Sequence, residues 1–450
     1  SKLAMKVASS NFYACCENDR RRNEDVMNKE GSLSINSENI FPIIKKWLYS
    51  DHDIFFRELV SNGCDAVTKL KKLDMIGEYT IPEGKELCVK VTADAETKTI
   101  TFTDNGIGMD ANEIDQYINQ IAFSGARDFL DKYKDKTNDD QIIGHFGLGF
   151  YSAFMVADRV TIDSLSYKEG AKAVHWESDE GTSFEMTDSA KTEIGTTITL
   201  YLNEDSYEFC NEYRAKEILD KYCSFMPIPI YFEAIKTAEE QARIDEAEKK
   251  AKEEEEKRKA EEAAKKAADG EAVEAETEAE PTEKAPEAPK PINETTPLWA
   301  KHPNACTDEE YKEFYHRVFH DYKEPLFWIH LNMDYPFNLK GILYFPKINT
   351  EYDSIEGTIK LYNNQVFVAD NIKEVIPEFL MLLKGVIDCP DLPLNVSRSA
   401  LQNDGFVKKI SDYITQQVAD RLTGMCKEQS EGYEKLRDDI NSFITFGVLK

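Results

Sequence analysis

The spacing of apolar and polar residues changes several times along the chain, and each change predicts a structural element. From about 33 to 71 apolar residues recur at helical spacing, ending in "FFRELVSNGCDAVTKL". The stretches "KELCVKVTAD" and "TKTITFTDNG" alternate strictly, which predicts two strands joined by an Ala-Glu-Thr-Lys turn. A helical pattern over 112–134 follows, and after a glycine-containing loop "GHFGLGFYSAFMVA" is predicted to run into a helix.

Further alternating stretches predict that the strands form one sheet. They read "DRVTIDSLSY", "AVHWES", "TSFEMTD" and "TTITLYLN". Helices mixed with largely antiparallel strands predict an α+β fold, a two-layer α/β sandwich with helices on one face of the sheet.

Composition divides the rest of the chain. Ala, Glu, Lys and Pro dominate 237–292 and aromatic residues vanish there, which predicts a charged, disordered linker. A new pattern then begins with "EEYKEFYHRVFHDY", continues through "PLFWIHLNMD", "KGILYFP" and "TIKLYNNQVFVA", and becomes helical to the end. The predicted organisation is an N-terminal tail (1–31), a first domain (32–236), the linker (237–292) and a middle domain (293–450).

Charge and cysteine content narrow the class of protein. A formal net charge of −29 over 450 residues disfavours binding to nucleic acids or anionic membranes. The nine cysteines are scattered without a CxxC pair, which is typical of a reduced, intracellular protein. No run of about 18 apolar residues exists, and the first residues lack the apolar core of a signal peptide. We therefore expect a cytoplasmic protein, and the abrupt end at "NSFITFGVLK" suggests that it is truncated.

Three short polar side chains share one face of the first strong helix. Glu58, Asn62 and Asp65 are separated by steps of four and three residues. At about 100° per residue, these steps place all three side chains on one face of the helix. A second polar element is "TDNGIGM", in which Asp104 ends a predicted strand before two glycines. Glycine allows a close backbone approach or a positive φ, and a fixed carboxylate can accept hydrogen bonds from an amino group.

Two further elements point to the same kind of site. Gly144, Gly147 and Gly149 precede a predicted helix, so free backbone N–H groups should form an anion site. The spacing is not that of a P-loop, because no Gly-Lys-Ser/Thr sequence is present. Thr196 follows Gly195 at the start of a strand and could supply a hydroxyl group.

The order of these four elements resembles the ATP-binding fold of gyrase-type topoisomerases, histidine kinases, mismatch-repair ATPases and heat-shock protein 90 chaperones. The stretches "IFFRELVSNGCDAVTKL", "TDNGIGM", "GHFGLGFYSAFMVADRV", "EPLFWIHLNMDYPFNLKGILYFP" and "DLPLNVSRSALQND" are similar to the heat-shock protein 90 family, including its bacterial high-temperature protein G members. This resemblance covers about 33–450. It implies an αβα middle domain after the ATPase domain.

The resemblance assigns roles to the helix trio and to the Asp104 turn. Glu58 matches the general base that activates the attacking water. Asn62 matches the Mg²⁺ ligand, for which an amide oxygen is suitable. Asp65 would order waters beneath the base. Asp104 matches the adenine-binding carboxylate, and Gly108 and Met109 would line the pocket beside it.

The remaining site residues of the first domain are also assigned by resemblance. Gly147, Gly149 and Phe150 match the phosphate-binding turn, and Thr196 matches a threonine that reaches the base through water. Lys69 is a further candidate for ATP binding, although a solvated helix lysine is the favoured interpretation.

The second domain is expected to complete the site. Arg398 matches a catalytic arginine that reaches the γ-phosphate, as an arginine finger does, and Gln402 is a weaker candidate one helical turn away. The segment 121–150 would close as a lid. Clients would bind the middle domain, where aromatic side chains such as Trp328 are expected to be exposed.

The chain departs from the family pattern at several positions. Many family members have asparagine in place of Tyr117 and lysine in place of Phe123, which could weaken nucleotide contact or shift the task to another cation. Gly63-Cys64 stands where Ala-Ser is more frequent. A helix glycine costs roughly 1 kcal/mol relative to alanine, and Cys64 is expected to be a small core residue.

These expectations combine into one hypothesis with named alternatives. The chain is expected to be the nucleotide-binding and middle part of an ATP-dependent molecular chaperone of the stress response, with ATP and Mg²⁺ as cofactors. Its partners would be unfolded client proteins. The full-length protein would be a homodimer and this fragment, without the family's dimerisation domain, a monomer. The main alternative is a DNA-remodelling ATPase of the gyrase or mismatch-repair class; a histidine kinase and a non-hydrolysing binding module are less favoured.

Overall fold

The computed structural model of the protein contains two β-sheets with helices packed on them. The described residues are 51–133, 142–144, 147–237, 241, 243, 250, 289–347, 357–371, 380, 382–394 and 404–428. The predictions for the N-terminal tail, for most of the linker and for Arg398 and Gln402 therefore lie outside the described residues. No described helix is long and apolar enough to cross a bilayer.

The first sheet has seven strands in the order β5-β4-β3-β6-β2-β1-β7. All neighbours are antiparallel except β1 and β7, which are parallel. The strands are β1 (Val89–Asp94), β2 (Thr99–Asp104), β3 (Ala157–Leu165), β4 (Val174–Asp179), β5 (Glu185–Asp188), β6 (Gly195–Leu202) and β7 (Ile230–Ile235). The six predicted strands are confirmed. The pattern analysis missed β7, whose side chains do not alternate between buried and exposed.

One long helix, α1 (Ile54–Met75), packs on this sheet and carries the predicted polar trio. Its apolar side is deeply buried, and the ring of Phe56 meets that of Phe102 on β2 edge-on, with centroids 5.7 Å apart. Burying aromatic side chains on this scale is a main source of stability for a helix on a sheet. The predicted helical pattern is confirmed from Ile54 onward, and its earlier part, 33–50, lies outside the described residues.

The unusual Gly63-Cys64 pair lies where α1 meets the sheet. A Cβ added at Gly63 would lie only 3.0 Å from Cγ2 of Val89 on β1. Close packing of helix and strand therefore offsets the low helix propensity of glycine at this position. Cys64 is fully buried and its Sγ lies 4.0 Å from Sδ of Met226, so the predicted core role is confirmed.

Two of the helix predictions need correction. The pattern over 112–134 is interrupted and forms two helices, α2 (Ala111–Tyr117) and α3 (Gly125–Tyr133). Ala122 between them has a φ of 65°, which no helix accommodates. The helix predicted after the glycine loop is a seven-residue 3₁₀ helix, Gly149–Met155.

The second sheet has five strands in the order β11-β10-β12-β9-β8. The strands are β8 (Phe327–Met333), β9 (Leu339–Phe345), β10 (Ile359–Asn363), β11 (Val366–Asp370) and β12 (Lys384–Asp388). The stretch "TIKLYNNQVFVA", predicted as strand, is a hairpin of β10 and β11, because two residues with positive φ, Asn364 and Gln365, turn the chain. The patterns did not predict β12.

Helices cover both faces of the second sheet. The described helices after β6 are α4 (Glu212–Cys223), α5 (Asp308–Phe319), α6 (Asp404–Glu428) and the short 3₁₀ helices Glu204–Cys210, Leu298–Ala300 and Pro303–Ala305. On β9, Tyr344 packs against Tyr315 of α5, with ring centroids 5.0 Å apart, whereas its neighbour Leu343 joins the core that includes Ile410 of α6. Adjacent strand residues point to opposite faces, so the expected αβα arrangement is confirmed.

The residues on either side of the predicted linker meet. The backbone N–H of Ile292 donates to the carbonyl of Ile230 at 2.8 Å. The side chain of Asn293 accepts from the N–H of Ile230 at 2.8 Å and donates to the carbonyls of Met226 and Ile228 at 2.7 and 2.8 Å. The chain therefore returns to the edge of the first sheet before it enters the second. The division into domains remains a prediction.

Candidate active site

A cavity of about 620 Å³ opens between α1, the end of β2 and the glycine turn before the 3₁₀ helix. Its volume lies in the usual range of small-molecule sites. All the predicted site residues of the first domain line this cavity. Arg398 and Gln402, which were predicted in the second domain, lie outside the described residues. The lining set is Glu58, Asn62, Asp65, Lys69, Asp104, Gly108, Met109, Gly147, Gly149, Phe150 and Thr196.

Asp104 is a buried carboxylate at the end of β2. Its Oδ1 accepts the N–H of Gly106 at 2.9 Å. Burial raises the pKa of Asp104 from its ordinary 3.8 to about 7, although the N–H groups of Gly106 and Thr196 and the charges of Lys191 and Lys69 oppose the shift. This carboxylate therefore exchanges its proton near neutral pH and can act as a hydrogen-bond acceptor or donor in the cavity.

The turn after Asp104 is made of close backbone contacts. A Cβ on Gly106 would lie 2.3 Å from the carbonyl carbon of Ala66 on α1. Gly108 has a φ of 62°, and its Cβ would lie 1.9 Å from the carbonyl oxygen of Leu165. Both reasons given for glycine in this turn, close approach and positive φ, are confirmed.

A serine that the sequence analysis missed connects this turn to Thr196. Ser164 of β3 accepts the N–H of Met109 at 2.8 Å, and its hydroxyl is 2.9 Å from that of Thr196. Thr196 lies opposite Asp104 in the pairing of β2 and β6. No local pattern marks Ser164, because its partners are more than 30 residues away in the chain. The proposed water-mediated role of Thr196 stays a prediction.

Asp65 holds the chain that leads into the glycine turn. Its Oδ1 accepts the N–H of Ile143 and its Oδ2 that of Gly144, each at 2.7 Å. Charge-assisted bonds of this kind are about twice as strong as neutral ones. The sequence suggested that Asp65 orders waters beneath the base, and that role stays a prediction. The hydrogen bonds from Asp65 to the backbone of Ile143 and Gly144 were not predicted from the sequence.

Glu58 is paired with its neighbour in the chain. Its Oε1 accepts from Nε of Arg57 at 2.9 Å and from a terminal nitrogen at 2.6 Å, and both side chains are buried. A buried carboxylate without a cation would be strongly destabilising, so Arg57 compensates the charge and orients Glu58. Adjacent helix residues do not share a face, which is why the sequence analysis missed Arg57.

The second oxygen of Glu58 faces the glycine turn. A Cβ on Gly149 would lie 2.5 Å from Oε2 of Glu58, so glycine is needed for this approach. Gly147 has a φ of 65°, and its Cβ would lie 2.2 Å from the carbonyl oxygen of Phe123. The short 3₁₀ helix supplies less of a macrodipole than the predicted α-helix, so anion binding would depend on the N–H groups of the turn.

Asn62 and Lys69 lie on the cavity side of α1. Asn62 is exposed, with its Oδ1 3.9 Å from the Cβ position of Gly144. Lys69 is half-buried, and its Nζ lies 6.0 Å from the ring centroid of Phe129. Burial lowers the pKa of Lys69 below its ordinary value. Lys69 therefore lines the cavity rather than lying on a fully solvated helix face, and its role in ATP binding stays a prediction.

Aromatic side chains form one wall of the cavity at the positions that depart from the family pattern. Tyr117 and Phe123 stack with ring centroids 5.9 Å apart and an interplanar angle of 20°. Among the residues that the structure describes, no group of three or more His, Cys, Asp or Glu side chains is arranged to hold a metal ion.

The fold and the cavity define a class of protein, and comparison with known sequences agrees. The family model for histidine kinase-, DNA gyrase B- and HSP90-like ATPases matches residues 54–202, which include the cavity. The Hsp90 protein model matches residues 208–450, more than half of the chain. The chain belongs to the Hsp90 family.

Among the most similar curated relatives are bacterial proteins named chaperone protein HtpG. The chain is 48% identical over 421 residues to the chaperone protein HtpG of Bacteroides fragilis and 46% identical over 421 residues to that of Bacteroides thetaiotaomicron. It is 44% identical over 423 residues to HtpG of Porphyromonas gingivalis. These alignments cover 94% of this chain but 55 to 56% of each relative, so the chain spans about half the length of the curated relatives it matches.

Proposed function

We propose that this chain is the nucleotide-binding and middle part of an ATP-dependent molecular chaperone. It would bind and hydrolyse Mg-ATP to drive the folding of client proteins. The observation that carries the proposal is the cavity in which Asp104, Asn62, Glu58 and the glycine turn come together. The relatives named chaperone protein HtpG support the same function.

Asp104 would select the base. Its carboxylate at the end of β2 can accept a hydrogen bond from the exocyclic amine of adenine, and Gly108 and Met109 would border the ring. Buried polar groups that must be matched by a ligand give strong discrimination, because a ligand without the donor leaves the carboxylate unpaired. Thr196 would reach the base through water.

The charges of the cavity support the proposal that the nucleotide would bind together with Mg²⁺. The described lining holds six carboxylates and three lysines, namely Glu58, Asp65, Asp104, Asp110, Glu113, Asp128, Lys69, Lys132 and Lys168. A triphosphate in such surroundings requires a cation. The exposed amide of Asn62 suits Mg²⁺, which keeps several waters and binds mainly through phosphates. When bound, the ion would neutralise the phosphate oxygens.

Glu58 would act as the general base. Arg57 holds one oxygen of its carboxylate, and the other faces Gly149 of the turn proposed to bind the phosphates. A carboxylate near the γ-phosphate can orient a water molecule and take its proton. Arg398, assisted by Gln402, would complete the site from the middle domain, and closure of 121–150 would exclude water.

The proposed partners are unfolded or partly folded client proteins. The expectation that Trp328 is exposed is wrong, since it is half-buried and stacks on Tyr311 with ring centroids 5.0 Å apart. The exposed aromatic side chains of the described middle part are Tyr322 and Tyr335. Homodimerisation of the full-length protein, a monomeric state for this fragment and a cytoplasmic location belong to the same proposal.

The test compares binding with turnover for the wild type, Asp104→Asn, Glu58→Ala and the control Asp179→Asn, an exposed carboxylate at the end of β4. Calorimetry should show that Asp104→Asn loses Mg-ATP binding. Glu58→Ala should bind but hydrolyse at least about a hundredfold more slowly. The control should match the wild type.

Adding duplex DNA to the same assay tests the main alternative. A chaperone ATPase should be indifferent to DNA, whereas stimulation by DNA would favour a DNA-remodelling ATPase. The match of residues 208–450 to the Hsp90 protein model does not favour that alternative. If the wild type binds no nucleotide, the proposed function is wrong.

A further inference from the structure

The guanidinium group of Arg57, which holds Glu58, lies over the ring of a buried tyrosine. Cζ of Arg57 is 5.7 Å from the ring centroid of Tyr222 on α4. Arg57 is 1% exposed and Tyr222 is 4% exposed, so this contact is shielded from water. A cation over an aromatic face is attracted by the ring quadrupole, most strongly where both groups are desolvated. Tyr222 therefore adds to the forces that fix the guanidinium group.

The orientation of Arg57 matters because its two hydrogen bonds to Glu58 end on one carboxylate oxygen. Nε of Arg57 and one of its terminal nitrogens both donate to Oε1, at 2.9 and 2.6 Å. The other oxygen, Oε2, faces the glycine turn, 2.5 Å from the Cβ position of Gly149. Because the guanidinium fork is planar and rigid, a rotation of the fork would turn the carboxylate with it. The direction of Oε2 within the cavity therefore depends on what holds Arg57.

The ring of Tyr222 is itself held by three neighbours. Its hydroxyl group donates to Oδ1 of Asp53, the residue before α1, at 3.1 Å. Lys221 forms an ion pair with Oδ2 of Asp53 at 3.3 Å, and its Nζ lies 4.4 Å from the ring centroid of Tyr222. On β11 of the second sheet, the ring of Phe367 lies 6.0 Å away, measured between centroids. A ring fixed by these contacts offers Arg57 a surface of defined position.

We propose that Tyr222 is a positioning residue for ATP hydrolysis, acting through Arg57 on the general base Glu58. Each step is a contact in the structure, since Glu58 lines the cavity, Arg57 binds its Oε1, and Tyr222 holds Arg57. Because Phe367 meets the same ring, the second sheet takes part in placing the base. The inference rests on the proposed function, since it matters only if Glu58 activates the attacking water.

The test replaces Tyr222 in three ways. Tyr222→Phe keeps the ring and loses only the hydroxyl group. Tyr222→Leu and Tyr222→Met fill the space with apolar side chains that have no aromatic face. Calorimetry measures the affinity for Mg-ATP, steady-state hydrolysis gives kcat, and thermal unfolding reports stability. Comparing the three variants separates the role of the ring from that of the hydroxyl group.

Phe314→Leu is a matched control on α5. Phe314 is 2% exposed, and Cζ of Arg317 lies 5.6 Å from its ring centroid. This substitution therefore also removes a buried ring beside an arginine. Arg317 forms an ion pair with Glu294, which does not line the cavity. The control reproduces the loss of core packing without disturbing the proposed base.

The expected result is a loss of kcat that follows the aromatic ring. Tyr222→Leu and Tyr222→Met should lower kcat about tenfold, because a misplacement of about 1 Å can cost up to about a hundredfold. Their affinity for Mg-ATP should stay within about twofold of the wild type. Tyr222→Phe should keep kcat within about twofold, and Phe314→Leu should lose stability but keep the wild-type kcat. In the Glu58→Ala background, Tyr222→Leu should cause no further loss, because no base is left to position.

Several outcomes would overturn the inference. It fails if Tyr222→Leu hydrolyses ATP like Phe314→Leu, or if Tyr222→Phe is as slow as Tyr222→Leu. It also fails if Tyr222→Leu slows the Glu58→Ala variant by the same factor as the wild type. If the leucine and methionine variants both unfold at the assay temperature, Tyr222 is structural and the inference is wrong. Absence of hydrolysis by the wild type would instead contradict the proposed function, so the two failures are distinguishable.

Discussion

At the scale of one residue, the burial of Asp104 and its proposed contact with adenine depend on its proton in opposite ways. Burial raises its pKa from 3.8 to about 7 in the folded protein. Burial favours the neutral form of the carboxyl group, whereas the ionised form is the better acceptor for an adenine amine. Nucleotide affinity should therefore rise as the pH increases through about 7, while the stability of the protein without nucleotide should fall.

The stability part of this prediction has a definite sign. Because the folded pKa lies above the unfolded one, the contribution of Asp104 is fully present below about pH 4 and is lost as the pH rises through about 7. Asp104→Asn removes this loss, so the variant should gain stability relative to the wild type between pH 5 and pH 8. Thermal unfolding without nucleotide measures it. Parallel pH profiles for wild type and variant would contradict the raised pKa, and Asp179→Asn serves as the exposed control.

At the scale of elements, the turn after β2 depends on glycines that no other residue can replace. Gly108→Ala would combine a positive φ with a Cβ 1.9 Å from the carbonyl of Leu165, so β3 or the turn must move. We expect a loss of about 3 kcal/mol or more in the free energy of unfolding, together with weaker nucleotide binding. Urea unfolding of the variant is the measurement.

Gly170→Ala is the matched control for this substitution. Gly170 has a φ of 75°, but a Cβ there meets nothing within 4 Å. The control therefore isolates the backbone strain, about 1 to 2 kcal/mol. Equal losses for the two variants would show that steric contact with β3 does not matter.

At the scale of the whole molecule, an aromatic cluster connects the two sheets. Phe225, just after α4, lies 4.6 Å from Trp299 and 5.7 Å from Tyr362 of β10, measured between ring centroids. Tyr222 of α4 lies 6.0 Å from Phe367 of β11. These rings connect the first sheet to the second, so we expect the two sheets to unfold as one cooperative unit.

Phe225→Ala should therefore weaken the packing between the two sheets, so that they no longer unfold together. A buried phenylalanine truncated to alanine costs about 3–5 kcal/mol, and calorimetry should show two separate unfolding transitions in place of one. Phe184→Ala is the control, because Phe184 is 50% exposed and stacks on Trp176 of the first sheet. A single transition in Phe225→Ala would show that the cluster does not couple the sheets.

Sequence alone was sufficient for features that depend on local geometry. The period of apolar residues predicted α1 and six strands of the first sheet, and the helical spacing of Glu58, Asn62 and Asp65 predicted that they face one cavity. The glycines near Asp104 were predicted from their conformational freedom. These predictions succeed because 3.6 residues per turn and alternation along a strand are properties of the chain itself.

The tertiary structure alone decided which groups meet across long stretches of chain. Asp65 holds Gly144 and Asn363 holds Cys389, pairs that are 79 and 26 residues apart. The parallel pairing of β1 with β7 and the break between α2 and α3 likewise arise from packing rather than from period. Hydrogen bonds of this kind leave no local pattern, because the partner is supplied by the topology of the sheet and not by neighbours in the sequence.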